Sequence, residues 1–471
     1  MIKKTKIVAT ISDKNCEPDF LAQLHKAGMD VVRLNTAHQT YDEALKVIEN
    51  VRMVSDKIAI LIDTKGPEIR TCDMAEPLKV SYGDTIRIKG APGVMSINDI
   101  IHVSYEGFVR DVPVGSSILI DDGAIALAVM EKDDQYLSCF VENDGVIYGK
   151  KSVNIPSVHV TLPALSEKDK GFIRFAADQN VDFIAHSFVR HKEDVLAVQR
   201  ILDEKNSSIK IIAKIENSQG VENLDEILDY AFGIMIARGD LAVEIPAERI
   251  PLIQKKIVKK CIEKRKPVIV ATQMLHSMIK SPRPTRAEVS DVANACLDST
   301  DALMLSGETA NGEYPVMAVI TMAKIAMEVE SSRSMFINVP YSLENKITAY
   351  LAKAAVKASM RLNTQAIVAD SISGDTIREI SAYRGDNPIF AQVYDKKTMR
   401  KLALSFGVIA HCIEQADDPS GPLRGAIQRL IDRKYLTAAS LITVLSGHFG
   451  AAQGASYIEI STAESIVKKG C

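Results

Sequence analysis

The sequence predicts a closed parallel (β/α)8 barrel, interrupted by a small all-β insertion and followed by a C-terminal open-sheet α/β domain. Three observations carry this expectation. Eight short apolar runs recur with helical-period stretches between them. Most of their starts lie 23 to 35 residues apart, but one interval is about 120, and the alternation begins afresh after residue 338.

In chain order, strands are expected at KTKIVAT (4–10), DVVRL (30–34) and IAILI (58–62). EPDFLAQLHKAG and YDEALKVIENVRMV supply the intervening helices. Runs this apolar and β-branched suit strands buried on both faces. The long interval then changes texture. LKVSYGDTIRIKG and SILIDDGAIALAVME alternate with period 2 and turn at Gly-Asp and Asp-Gly pairs, with little helix. Residues 71–154 therefore form an all-β domain inserted in a βα loop. Such loops lie on the barrel's C-terminal face, so the insertion should overhang any site there as a mobile lid. Strands resume at DFIAHSF (182–188), IKIIAKI (209–215), FGIMIA (232–237), PVIVA (267–271) and DALML (301–305). Ser166-x-x-Asp169 and Thr285-x-x-Glu288 resemble capping boxes at two helix starts. The barrel thus takes residues 1–70 and 155–338, near the roughly 250 residues such barrels use. A doubly wound open sheet is the alternative, but eight repeats favour closure. From 339 to 471, NKITAYLAKAAVKASMRL, AIVAD, NPIFAQVY, GVIAHC, SLITVLSG and SYIEI set out a separate α/β domain.

Composition narrows the function. The net charge is −3, aromatics are 5% and Trp is absent, so neither nucleic acid nor an anionic membrane finds a basic field. MIKKTKIVATISDKN has no apolar core of signal-peptide length, and no run approaches the roughly 20 apolar residues of a membrane span. Seven scattered cysteines without a C-x-x-C pair suit reduced thiols of a cytoplasmic protein.

In a barrel, catalytic groups stand at the C-terminal strand ends. Those ends carry Arg33 and Asn35; Asp63, Thr64 and Lys65; His186, Ser187 and Arg190; Lys214 and Glu216. The later ones carry Arg238, Gly239 and Asp240; Thr272 and Gln273; Ser306 and Glu308. Strand alternation places Lys214 and Glu216 of IIAKIENSQG on one side, and the same period pairs Arg238 with Asp240. One such K-x-E is an ordinary ion pair. A whole rim of charges, each costly to desolvate, is a site. Two carboxylates with few other protein ligands suit Mg²⁺, which keeps waters and substrate oxygens as its remaining ligands. Arginines would hold phosphate, and a lysine can stabilise charge on a transferring group or an enolate. Phosphoryl transfer uses that set of groups. No Walker loop or Gly-x-Gly-x-x-Gly occurs, His25, His102, His159 and His411 lack ligand spacing, and ATQMLHSMIK is core packing.

RLNTAH, DTKGPEIRT, IIAKIENSQG, IMIARGDLAVEIP, ATQMLHSMIKSPRPTRAEVSDVANACLD and MLSGETANGEYP closely resemble the pyruvate kinase family. The likeness runs from about residue 3 to 335, includes IDDGAIALAV and KKSVNIPS, and weakens after 340. It implies transfer of phosphate from phosphoenolpyruvate to ADP, giving ATP and pyruvate, with Mg²⁺ (or Mn²⁺), usually K⁺, and a homotetramer. By motif, Glu216 and Asp240 would hold Mg²⁺ and Lys214 would stabilise the transition state. Arg33, Lys214, Gly239, Asp240 and Thr272 would bind substrate, with Thr272 where the enolate is protonated. Asn35, His38, Arg70 and Lys151 would face the nucleotide. The K⁺ site would use Asn35, Asp63 and Thr64, but Ala37 stands where the pattern has Ser. Thr36 and Gln39 also depart from it, while Glu68 resembles the K⁺-dependent branch. Weaker K⁺ activation is the expectation. Ser371, Ser373, Gly374 and Thr376 resemble a loop that binds a sugar-phosphate effector, although a plain helix cap is the alternative. Asp375 and the lack of Lys or Arg on that loop would repel a bisphosphate, and SGHFGAAQGASY (446–457) lacks the usual Thr-Thr-Asn. A lyase acting on phosphoenolpyruvate and a catalytically dead binding protein are the competing functions; Arg70, Lys151 and the lid speak against the first, and the intact Lys214, Glu216, Asp240 and Thr272 against the second.

Overall fold

The computed structural model describes residues 2–37, 39–97, 99–156, 158–332, 334–340, 345–413, 421–447 and 454–468. Eight parallel strands close a barrel: β1 (Lys6–Thr10), β2 (Val31–Asn35), β3 (Ala59–Asp63), β4 (Phe183–His186), β5 (Lys210–Ile215), β6 (Gly233–Ala237), β7 (Val268–Ala271) and β8 (Ala302–Leu305). All eight sequence runs become these strands, in chain order around the barrel. The interior is filled, with Val8, Val31, Leu61, Ala185, Ile212, Met235, Ile269 and Met304 in one buried cluster. The other face of each strand packs on the helices through residues such as Ile7, Val32, Ile60, Ile211 and Ile234. Period 2 then sets the site. One step beyond Val31, Leu61, Ala185 and Ile212, on the same inward rows, stand Arg33, Asp63, Ser187 and Lys214. The apolar layers form the floor, and the polar layer is the next one up.

Between β3 and β4 lie a six-stranded sheet and a two-stranded ribbon around their own core of Ile88, Val103, Phe108, Leu127 and Val141. Arg190 ties the returning chain to the rim, donating to the carbonyls of Leu162 at 3.0 Å and Val160 at 3.4 Å while paired with Asp194. Both expected capping boxes are present, at Ser166/Asp169 and Thr285/Glu288, and a third joins Thr40 and Glu43.

The last sheet holds β9 (Ala366–Asp370), β10 (Ile389–Val393), β11 (Val408–Cys412), β12 (Leu441–Ser446) and β13 (Tyr457–Thr462), in the order β11-β10-β9-β12-β13. Only β13 runs antiparallel. This part is joined to the barrel at the end opposite the polar layer. Arg384 reaches Asp301 at 2.8 Å and Arg400 reaches Asp182 at 2.6 Å, and these aspartates immediately precede β8 and β4. Lys6 Nζ donates to the Val408 carbonyl at 2.6 Å. The six described cysteines are free thiols, five of them buried. No described helix is long and apolar enough to cross a membrane.

Candidate active site

Lys214, at the end of β5, is buried, and its ammonium has three acceptors. These are Ser187 Oγ at 2.7 Å, Glu216 Oε1 at 3.0 Å and Asp63 Oδ1 at 3.2 Å. Burial alone would lower its pKa, but Asp63 and Glu216 outweigh that and hold it above its usual value. Asp63 is shared with Arg33, whose Nε donates to Oδ2 at 2.7 Å and whose Nη1 donates to Thr10 Oγ1 at 3.0 Å. Lys214 and Arg33 keep the buried Asp63 carboxyl below its usual value against the opposing effect of burial.

Glu216 is held on both oxygens, since Oε2 accepts the Phe188 N–H at 2.6 Å. Its pKa nevertheless rises, because burial and the nearby Asp240 and Asp63 charges oppose ionisation more than Lys214 favours it. Asp240 lies within hydrogen-bonding reach of Glu216 and is also raised, chiefly by burial. Two adjacent carboxylates that resist ionisation are an arrangement an incoming cation relieves. Among the described residues no three His, Cys, Asp or Glu side chains converge on one metal position. The pair alone is therefore suited to a metal that takes its other ligands from water and substrate.

Gly239 and Thr272 meet directly: the Gly239 N–H donates to Thr272 Oγ1 at 2.8 Å, and that hydroxyl donates to the Ala271 carbonyl at 2.7 Å. Thr272 has φ of 68° and Phe188 of 54°. For β-branched and bulky residues this left-handed region is strained, and such outliers gather at working sites.

Asp240, Glu244, Asn217 and Phe188 line one wall of a cleft of about 460 Å³. The opposite wall comes from Glu68, Arg70, Asp121, Asp122 and Lys151 at the inserted sheet. Arg70 is clamped by Glu68 at 2.7 and 3.0 Å, and Lys151 pairs with Asp121 at 2.9 Å. Asn35 Oδ1 accepts the Ala37 N–H at 3.2 Å. Thr36 Oγ1 donates to the Asp63 carbonyl at 2.8 Å, and Thr64 Oγ1 lies 3.3 Å from His186 Nδ1. Burial depresses the His186 pKa to about 4. His38 lies outside the described residues.

Several strand-end residues do not join this cluster. Arg238 does not share a strand period with Asp240, because the chain enters a short helix, Arg238–Glu244, at that point. Its guanidinium turns instead to Asp291, at 2.7 Å to both carboxylate oxygens, and to the Thr272 carbonyl at 2.9 Å. Glu308 is spent bracing the Leu275 and Ser306 N–H groups. Phe188 was missed by sequence reasoning because it acts through its N–H, for which an apolar side chain gives no signal. Met274 and Met278 are fully buried, as packing requires.

The loop after β9 is largely satisfied from within. The Gly374 N–H donates to Ser371 Oγ at 2.9 Å, and Asp375 bonds to both Ser373 Oγ and Arg378. Thr376 is buried behind it.

Two family models match the chain: pyruvate kinase, barrel domain, over residues 2–319, and pyruvate kinase, alpha/beta domain, over 350–461. The chain is 46% identical to a pyruvate kinase of Borreliella burgdorferi, covering 99% of this chain and 98% of that one. It is 43% identical to the pyruvate kinase of Bacillus licheniformis, over 100% of this chain and 82% of the relative. Among solved structures, a pyruvate kinase from Cryptosporidium parvum superposes with a TM-score of 0.92 at 34% identity, covering 98% of this chain and 96% of that one.

Proposed function

The chain belongs to the pyruvate kinase family and is an enzyme of that activity; we propose here how its own residues move the phosphoryl group of phosphoenolpyruvate to ADP. The observation that carries the proposal is the buried Lys214 ammonium set against the Glu216–Asp240 pair, of which Asp240 lines the cleft.

Glu216 and Asp240 would hold Mg²⁺ (or Mn²⁺). The donor set supports this, since burial raises both carboxylates and the Asp240 charge raises Glu216 further, and a divalent cation favours their ionised forms. When bound, the ion supplies positive charge to the substrate's carboxylate and bridging oxygens. Substrate would be positioned by Arg33, the Gly239 backbone and Thr272. Lys214 faces the phosphoryl group and stabilises charge as it passes to the developing enolate. The Thr272 hydroxyl, fixed by donating to the Ala271 carbonyl and accepting the Gly239 N–H, would stand beside the carbon that is protonated to give pyruvate. Asn35, His38, Arg70 and Lys151 would take the nucleotide phosphates. The inserted sheet would close over the cleft and exclude water.

K⁺ would be held by Asn35, Asp63 and Thr64. The fit is partial, because Ala37 offers no hydroxyl; the Thr36 hydroxyl donates its hydrogen to the Asp63 carbonyl at 2.8 Å. K⁺ therefore activates with weak affinity. Barrel (1–70 and 155–338), lid (71–154) and C-terminal domain (339–471) divide catalysis, closure and regulation. Asp375 fills its own loop, so an effector at Ser371, Ser373, Gly374 and Thr376 would have to displace it. A cytoplasmic homotetramer completes the proposal.

A lactate-dehydrogenase-coupled assay with phosphoenolpyruvate, ADP, Mg²⁺ and K⁺ is expected to show pyruvate formation. If no nucleoside diphosphate supports turnover, the proposal fails. Replacing K⁺ with a bulky organic cation is expected to slow the rate, and equal rates overturn the K⁺ assignment.

A further inference from the structure

We propose that Ser187 is the positioning residue of the reaction, a neutral hydroxyl that aims the Lys214 ammonium at the transferring group. The inference rests on the assignment of Lys214 and Glu216 above and adds the residue that keeps their tasks apart.

Lys214 Nζ donates to Ser187 Oγ at 2.7 Å and pairs with Glu216 at 3.0 Å and Asp63 at 3.2 Å. These three oxygens surround the ammonium before any substrate arrives. For Lys214 to turn to a phosphoryl or enolate oxygen, one of these contacts must loosen. Glu216 is the partner that can loosen, because its carboxylate neighbours Asp240, which lines the cleft. Ser187 and Asp63 then remain as the two fixed supports.

Ser187 is built for that role. Its single hydroxyl hydrogen goes to the Thr64 carbonyl at 2.7 Å, with Asp63 Oδ1 more distant at 3.2 Å. A lone pair is thereby left aimed at Lys214 Nζ. Its N–H is held by Thr64 Oγ1 at 3.2 Å, and the residue is 2% exposed. Gly66 (φ 74°) presses on it: a Cβ added there would meet Ser187 Cβ at 2.7 Å, so only glycine lets the loop seat against this side chain. The next residue, Phe188, uses its N–H to hold Glu216 Oε2. The turn after β4 therefore grips both members of the pair by separate atoms. A carboxylate in place of the hydroxyl would draw the ammonium away from the substrate. A hydroxyl holds its direction without competing for its charge.

Ser187→Ala removes one fixed support and leaves the ammonium to lean on Glu216. At saturating phosphoenolpyruvate and ADP, kcat is expected to fall about 10–100-fold, as for other residues that orient catalytic groups. KM for phosphoenolpyruvate should stay within a few-fold, and the Mg²⁺ activation constant should rise because Lys214 now competes harder for Glu216. Ser187→Cys, similar in shape with a weaker acceptor, should lie between the two in kcat. Phosphoenolpyruvate binding by calorimetry at saturating Mg²⁺ and the thermal midpoint provide readouts independent of turnover, and both should stay near wild type. Wild-type kcat in either folded variant overturns the inference. So does a loss of kcat that merely follows a lowered thermal midpoint and a raised KM. If the wild type itself fails to turn over phosphoenolpyruvate and ADP, the underlying assignment fails instead.

Discussion

Replacing Glu216 with Gln removes one charge while keeping the volume, so its effects can be worked out from the contacts. One carboxylate oxygen pairs with Lys214 Nζ at 3.0 Å and the other accepts the Phe188 N–H at 2.6 Å. An amide has one oxygen, so its NH2 must face one of these donors, which costs about 1–3 kcal/mol for an unsatisfied buried group. The larger effect is on Mg²⁺. If loss of one of two carboxylates weakens binding about 100-fold, the scale seen when groups around a metal are altered, ligand-linked stabilisation nearly disappears. At a Mg²⁺ concentration 100 times the wild-type Kd, the wild type gains about 2.7 kcal/mol and the variant about 0.4 kcal/mol. Thermal unfolding followed by circular dichroism across a Mg²⁺ titration reads this directly. Without metal the lost pairing is offset by removal of a buried carboxylate that resists ionisation, so the variant should unfold near wild type and fall behind it as Mg²⁺ is added. A variant stabilised by Mg²⁺ as strongly as the wild type would refute the assignment of Glu216 as a ligand.

Other expected outcomes are more local. Burial, with no hydrogen-bond partner on either ring nitrogen among the described residues, holds the His411 pKa near 3, and burial holds His186 near 4, against an ordinary 6.5. The unfolded chain takes up these protons first, so this stability is fully present above pH 6.5 and is lost as pH falls towards 4. His411→Phe, placed between Phe390 and Tyr435, should flatten that acid slope and raise the midpoint at pH 5 more than at pH 7.5; an unchanged slope would count against it. Arg384→Ala strands the buried Asp301 carboxylate, which also accepts the Val268 and Phe406 N–H groups. Breaking such a pair costs about 3–5 kcal/mol. Calorimetry should show a lowered transition, and an unshifted one would mean the joint is held elsewhere.

Much of the fold was legible because the strands have to be apolar on both faces, which leaves β-branched runs at nearly constant spacing. The barrel rim was legible for a related reason: a charge at the end of such a run is conspicuous. Reading stopped where the chain leaves the strand period. Arg238 sits one residue past the end of β6, where a helix begins, so alternation assigned it to the wrong partner. Phe188 and Gly66 contribute a backbone N–H and a missing Cβ, neither of which leaves a mark in composition or periodicity. Ser187 was visible as a strand-end hydroxyl, but its link to Lys214 depends on β4 and β5 lying side by side, which only the closed barrel supplies. Asp375 was legible as a misfit in its loop, and its bonds to Ser373 and Arg378 give the reason.

The central claim is that the lysine and glutamate of IIAKIENSQG divide the labour, one facing the moving phosphate and the other the metal. Rapid-quench measurement of pyruvate formation by Lys214→Met, with phosphoenolpyruvate binding measured in parallel in the presence of Mg²⁺, tests it most directly. Binding is expected within a few-fold of wild type, with a transfer rate lower by about 100–1,000-fold or more, the scale for losing a preorganised electrostatic donor. A variant that binds and transfers as fast as the wild type would contradict it and leave Lys214 and Glu216 an ordinary ion pair at the end of a strand.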